Sequence, residues 1–546
     1  MFRTTADWLH EHLWNTLLKK IITCTVAALL AFGAYVLVSR LTEEAGSCAD
    51  GVTESGGECV GVNGSGYDFG EPEIAPVAAR IAEENRRIGK QPHVTVAMML
   101  PLQPDSKAER RQLRSELQGA FLAQYRANRE PGKPVVRLVL ANPGKDYARQ
   151  GDVVPDLVRM ARSDQDNLRA VTGFNLSLGA TKRAVRSLTE QQVPVLVARA
   201  SASSLANRES KDGTYDFKGL ARIIPTNDQQ ARALADFNGS RKDRQTVLVR
   251  DTRPDDPYVR SLASAFQKLP EDGPAGPDDM TFTSPGVADP GDVDNQFRPT
   301  VNTICNSGAD TVYFAGRSTH LRLFLKRLAK EACAERKFTV VSGSDAASLN
   351  NRMTDDDWAE LRDSSGKPRL TVQYAAPAHP ASWRTEIRLW QEGEEKRTGK
   401  KPPESKAPGS LRDPLAELER LGDTVTALRS AGRDIGDVEL GDSRTMMVHD
   451  GVRTAVEAIR GAKPTGEAVP SAEQVGNRWA TMQSMNRVNG TSGRICLTKA
   501  GNPYDKPLAV VELKPGTKAG PGTLDFVGLA WPTGRRQPED CVVRSG

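Results

Sequence analysis

The sequence predicts an α/β protein of two lobes, each built on a parallel sheet, joined by a hinge and preceded by one transmembrane helix. Three observations carry that prediction. From His93 onward, short apolar runs alternate with amphipathic stretches at helical spacing. The alternation restarts near residue 228, as a second lobe of the same architecture would. Ile21–Val38, IITCTVAALLAFGAYVLV, is uncharged and about as long as a helix needs to be to cross a bilayer core.

Taken in order, Arg3, Lys19 and Lys20 precede the apolar run. The positive-inside rule puts residues 1–20 in the cytoplasm, 21–38 in the membrane and the bulk of the chain outside the cell. A cleaved signal peptide is the alternative. No small-x-small site directly follows the run, and AGSC ending at Cys48 lacks the large aliphatic residue of a lipoprotein site, so an uncleaved anchor is the preferred reading. Residues 39–91 read as an extracellular linker with a small loop between Cys48 and Cys59 and a short helix over Pro76–Ile88.

Strands are expected at 93–100, 135–141, 168–174 and 193–198, with helices at 108–129, 153–162 and 179–192. The second series has helices at 228–239 and 258–269, strands at 246–250, 311–315 and 338–343, and a helix from Leu321. A strand at 370–376, an amphipathic helix at 445–462 and β-type runs at 507–516 and 524–531 complete the pattern. Residues 391–411 are polar and contain prolines, as an exposed insertion would. Strands that read as apolar runs between helices imply parallel sheets covered on both faces. The lobes are placed at 92–225 plus 371–485 and at 226–370 plus 486–530, with a tail at 531–546.

Composition narrows the function. The formal charge is only +5, from 74 basic and 69 acidic residues, and no basic stripe carries aromatics, which argues against nucleic acid. Cys24 lies in the apolar run; Cys48, Cys59, Cys305, Cys333, Cys496 and Cys541 lie outside. An even number in an oxidising compartment suggests disulfides, with the pairing formally open. Proximity favours Cys48–Cys59. Cys305–Cys333 would tie the ends of one strand–helix unit, and Cys496–Cys541 follows by elimination. There is no C-x-x-C and the six histidines are scattered singly, so neither a metal nor a cofactor is expected. No nucleophile elbow, Walker loop or H-E-x-x-H is present, and no enzyme activity is expected. The nearest approach to an acid–base dyad, His449-Asp450, falls in an amphipathic helix and reads as structural.

In open parallel sheets, ligands bind beyond the carboxyl ends of the strands, where the next helix presents free N–H groups. Four turns carry small hydroxyl or charged residues at that place: GFNLSLGAT (173–181), ARASASS (198–204), FAGRSTH (314–320) and SGSDAAS (342–348). Two fall in each lobe. Any one could be an ordinary helix cap; four at equivalent ends of two sheets suggest a shared cleft.

These turns, with VTVAMMLPL, ARIIPTNDQQARALADF, MMVHDGVRTAVEAIRGA and GRICLTKAGNPYDKPLAVVELK, resemble the type I periplasmic-binding-protein family over roughly residues 92–530. The resemblance is to its branched-chain amino acid group of ABC-transporter receptors, in the membrane-anchored form of high-GC Gram-positive bacteria. It implies two Rossmann-like lobes that close on a small amino-acid-like ligand, with ABC permease subunits as partners. It also implies site residues. Ser177 matches the hydroxyl that holds a ligand carboxylate, and Ala200 and Ser201 match the small segment after the next strand. Arg317 or Ser318 falls at a contact that is often aromatic, and Asp345 matches the acid that receives the ligand ammonium. Arg199 and Arg317 depart from the family pattern and would suit a more acidic ligand; Ala346 replaces a usual glycine. A ligand-sensing receptor or an interaction module of the same fold, with no transport role, is the alternative.

Overall fold

Two mixed, largely parallel sheets organise the chain in its computed structural model, which describes residues 46–239, 246–269, 280–330, 333, 336–462, 469–516, 520 and 522–543, with Ile21, Thr25 and Val26. The expected anchor at 21–38 and the cytoplasmic stretch 1–20 thus lie outside the described residues, three positions excepted. Among the described residues no helix is long and apolar enough to cross a membrane.

The first sheet contains β1 (Ser47–Ala49), β2 (Val52–Ser55), β3 (Glu58–Asn63), β4 (His93–Met99), β5 (Val135–Asn142), β6 (Leu168–Thr172), β7 (Val195–Val197) and β8 (Leu220–Arg222). Their order is β1-β2-β3-β5-β4-β6-β7-β8, parallel from β5 to β8. The second sheet takes β9 (Thr246–Asp251), β10 (Met280–Phe282), β11 (Thr311–Ala315), β12 (Phe338–Ser342) and β13 (Leu370–Ala376). After a two-stranded ribbon of β14 (Val488–Gly490) and β15 (Gly493–Ile495), it is completed by β16 (Leu508–Lys514) and β17 (Thr523–Ala530). Its order is β10-β9-β11-β12-β13-β16-β17, with only β16 and β17 antiparallel. All five residues of β11 are buried, as a central parallel strand with helices on both faces requires.

Several expectations need correction. Residues 46–63 are not a linker: β3 pairs antiparallel with β5, in register Val62↔Ala141, and Val52 and Val60 are buried in the first core. The lobe boundaries also move. β13 pairs in parallel with β12, and Trp383 and Ile387 of the helix Ser382–Thr398 enter the second core, so 371–398 belongs to the second lobe. Val488, Ile495 and Leu497 pack in the first core, so this stretch belongs to the first lobe rather than the second. The supposed insertion at 391–411 ends a long helix and begins another, Gly409–Ser430. That second helix crosses between lobes: Leu411 and Leu415 pack in the second core, Leu421 and Leu428 in the first.

Cys48–Cys59, Cys305–Cys333 and Cys496–Cys541 are disulfide-bonded. The last pins the tail to the first lobe, where the Cys541 carbonyl also accepts from the Ser484 N–H at 3.0 Å.

One carboxylate anchors the outer layer of the second lobe. Asp357 is 2% exposed at its side chain and accepts from Arg322 Nε at 2.7 Å, Lys326 Nζ at 2.6 Å and the Thr354 N–H at 2.9 Å. Burial opposes its charge, but these partners hold its pKa down to about 2 against an ordinary 3.8. A carboxylate whose pKa is depressed on folding stabilises the fold above its unfolded pKa, and that contribution is lost as pH falls through the folded value. Asp357→Asn is therefore expected to cost about 2 kcal/mol at pH 7. In urea unfolding, the difference from the parent should shrink as pH falls from 4 to 2.

Candidate functional site

The carboxyl ends of the two sheets face each other across a cavity of about 600 Å³. From the first lobe its wall takes the segment after β4 and the first turns of the helix Lys107–Ala127. It also takes Asp146 after β5, Asn175 after β6, Arg199 after β7, and Arg444 at the start of the helix Arg444–Ala462. The second lobe contributes Ser318 after β11, Asp345 and Ser348 after β12, Arg352, and the segment Gly286–Asp289. This placement follows from the topology, because every βα turn of a parallel sheet emerges at the same edge.

Glu116 is buried in the wall, 2% exposed. Its Oε1 lies 3.5 Å from Arg199 Nε and 3.6 Å from Arg444 Nε, and its Oε2 accepts from Asn175 Nδ2 at 2.9 Å. Arg444 donates to Asp442 Oδ2 at 3.2 Å and across the cleft to Ser348 Oγ at 2.7 Å. Burial pushes the Glu116 carboxyl up despite its two cations. Burial and then the neighbouring Arg444 charge bring Arg199 down to about 10, which leaves it charged at neutral pH.

Of the residues singled out from sequence, Arg199, Ser318 and Asp345 reach the wall. Asp345 Oδ2 accepts from the Ser318 N–H at 2.8 Å, so it caps the helix Ser318–Lys330. Burial resists its charge, but Arg317, the Ser318 N–H, Arg352 and Arg444 together hold its pKa below the ordinary value.

Ser177, Ala200, Ser201 and Arg317 lie behind the wall. Ser177 Oγ accepts from the Ala202 N–H at 3.1 Å, and the Ser201 carbonyl accepts from the Asn227 N–H at 2.9 Å. Ala200 is 1% exposed. Arg317 is 3% exposed and gives two bonds to Asp256, at 2.8 and 2.9 Å. Its guanidinium carbon also lies 4.5 Å from the ring centre of Tyr258. The pair of arginines expected to favour an acidic ligand is thus dismantled: Arg317 is held by Asp256 and Arg199 lies beside Glu116. A buried cation needs a local counter-ion more than it needs a ligand.

Sequence reasoning missed Glu116, Asp146, Arg352 and Arg444. Glu109, in the first turn of its helix, accepts from Arg352 Nη2 across the cleft at 2.9 Å. None of these residues sits in a motif, and their partners are remote in sequence. His449 and Asp450 are fully buried away from the cavity wall. The Asp450 carboxylate accepts from the Thr491 and Ser492 N–H groups at 2.9 and 2.8 Å, and His449 Nε2 faces Arg126 at 3.2 Å. Among the described residues no His, Cys, Asp and Glu cluster is arranged to hold a metal.

No protein-family model matches the chain. No curated protein sequence matches it. Solved structures do. A leucine-binding protein from Thermotoga maritima aligns with a TM-score of 0.51 at 16% identity, over 81% of this chain and 99% of its own. A branched-chain amino acid transporter substrate-binding protein from Streptococcus pneumoniae, in complex with isoleucine, gives 0.51 at 13%, over 80% and 99%. An ABC-transporter solute-binding protein from R. palustris, in complex with 4-hydroxybenzoate, gives 0.52 at 14%, over 80% and 96%. At these identities the likeness is one of fold, that of the type I periplasmic binding proteins.

Arg317 supplies a test of what holds the cleft. Its Nη2 also donates to the Ser177 carbonyl of the opposite lobe at 3.4 Å. Arg317→Ala would leave buried Asp256 with Arg253 alone and should cost about 3 kcal/mol in denaturant unfolding, the scale of breaking a buried ion pair.

Proposed function

We propose that the chain is an extracytoplasmic solute receptor, tethered by residues 21–38, that captures a small molecule between its lobes for an ABC importer. One observation carries this reading. A cavity of a size suited to small solutes lies where two parallel sheets present their carboxyl ends, and polar side chains from both lobes converge on it. Binding across such a cleft favours the closed arrangement in proportion to the ligand's differential affinity for it. A permease can read that shift without chemistry on the solute. The similar structures are described with an amino acid and with an aromatic acid, so small carboxylate-bearing solutes are the first to try. Within this reading Ser318, Asp345 and Arg199 are the sequence-derived residues placed to touch a ligand. Ser177, Ala200 and Ser201 would shape the wall from behind. A sensing role uses the same cleft and differs only in the partner.

Thermal unfolding with a library of small solutes tests the receptor reading. A true ligand at one hundred times its dissociation constant should add about 2.7 kcal/mol, a rise in Tm that follows ligand concentration. If no small solute shifts the transition, the reading fails. The tether has its own test. Deleting residues 1–40 behind a cleavable export signal should move the protein from the membrane fraction to the medium. Retention on the membrane would place the anchor elsewhere.

A further inference from the structure

The cavity wall carries six carboxylates and only four cations. The cations are all engaged. Lys145 is bound to Asp105, Arg352 to Glu109, and Arg199 and Arg444 flank Glu116. Asp146, Asp289 and Asp345 form no ion pair with any described side chain, although Arg317 stands behind Asp345 and holds its pKa down.

Asp146 is the most telling of the three. It is partly buried, its side chain takes no hydrogen bond from a described residue, and burial raises its pKa against the pull of Arg253, Lys145 and Arg317. Its backbone sits at φ 54°, followed by Tyr147 at φ 62°. Non-glycine residues in that region are held there by their surroundings. The holder is Tyr147: its ring is fully buried against Phe174, and its hydroxyl donates to Asn175 Oδ1 at 3.1 Å. The Asp146 carboxylate is therefore kept at the wall by an anchored neighbour and spends none of its acceptors on the protein.

Asp146 belongs to the first lobe, while Asp289 and Asp345 belong to the second. Enclosing these carboxylates between the lobes desolvates them, a cost that a cation bound among them would offset. No lining residue is aromatic, so the wall offers no ring for a flat solute to stack on.

We propose that the solute is an extended aliphatic cation, with one ammonium or guanidinium group for Asp345 and a second cationic group for Asp146 and Asp289. The inference rests on the receptor reading and narrows it. Basic amino acids and polyamines share that chemistry and differ in whether a carboxylate accompanies the cations.

Calorimetry on the full chain with L-arginine, L-lysine and spermidine, against L-leucine, L-glutamate and 4-hydroxybenzoate, tests it. Binding is expected from at least one of the first three and not from the others, with the amino acids and the polyamine separating the two sources. Asp146→Asn should weaken the best cationic probe about tenfold or more and leave the unliganded Tm unchanged. Tighter binding of leucine, glutamate or 4-hydroxybenzoate overturns the inference and leaves the receptor reading standing. Unchanged cation affinity in Asp146→Asn overturns it too. Silence from all six, together with silence from the wider thermal library, overturns both.

Discussion

Arg317 is a buried cation, and the way its charge is answered organises the region where the lobes meet. Asp256 meets it with both oxygens from the start of the helix Pro257–Gln267, and Tyr258 lies against its face. Asp256 is itself buried, yet Arg317 and then Arg253 keep its pKa below the ordinary value. Arg317 Nη2 also donates to the Ser177 carbonyl in the other lobe. Close by, the Gly179 N–H donates to the Asp255 carbonyl at 3.2 Å, and a Cβ at Gly179 would lie 1.8 Å from Asp255 Oδ1. A larger residue there would have to displace the Asp255 carboxylate. One ion pair thus sets a strand-to-helix turn of the second lobe and the spacing between lobes.

The crossings behind the cleft are held by a second set of buried polar groups. Asp450 secures the segment Thr491–Ser492, and Lys506, just before β16, donates to the Pro377 and Ser492 carbonyls at 3.3 and 3.0 Å. Burial lowers Lys506 to about 8, with Asp450 pulling the other way. These contacts join the strand leaving β13, the ribbon of the first lobe and the strand entering β16. The helix Gly409–Ser430 spans the same boundary through its leucines. On either side of these crossings each lobe keeps its own apolar core.

Much of the architecture was legible in the sequence because parallel strands covered on both faces are written as apolar runs. Thr311–Ala315 and Leu370–Ala376 end where the periodicity says they should. The segments that misled are those whose pattern mixes two environments. Leu411 and Leu415 face one core and Leu421 and Leu428 another, so Gly409–Ser430 shows no single stripe, and the prolines and charges of 391–411, which run into its first turn, read as an exposed insertion. β1 to β3 are short and joined by glycine-containing turns, and gain their order from β5 and a disulfide rather than from their own propensity. At the site, position was readable and role was not. The turn after β11 does face the cleft, but whether Arg317 points at a ligand depends on Asp256, sixty-one residues earlier. Glu116 carries no local signal, because its partners come from residues 199 and 444.

Pairing most of the wall charges within the protein has a consequence for selectivity. Unpaired ions lining a closing cleft would each lose hydration with nothing in return, and the closed form would be inaccessible. Lys145, Arg199 and Arg444 avoid this by carrying their counter-ions with them. The Arg352–Glu109 and Arg444–Ser348 contacts bridge the two lobes, so part of what holds the lobes together is built into the chain. On the receptor reading proposed above, the solute would then supply only what the pairing leaves over. A wall whose cations are paired and whose surplus is carboxylate would, on that reading, select by sign first and by shape second. That order suits a cleft with no aromatic ring in its lining, where direct charge complementarity is the strongest discriminating interaction available.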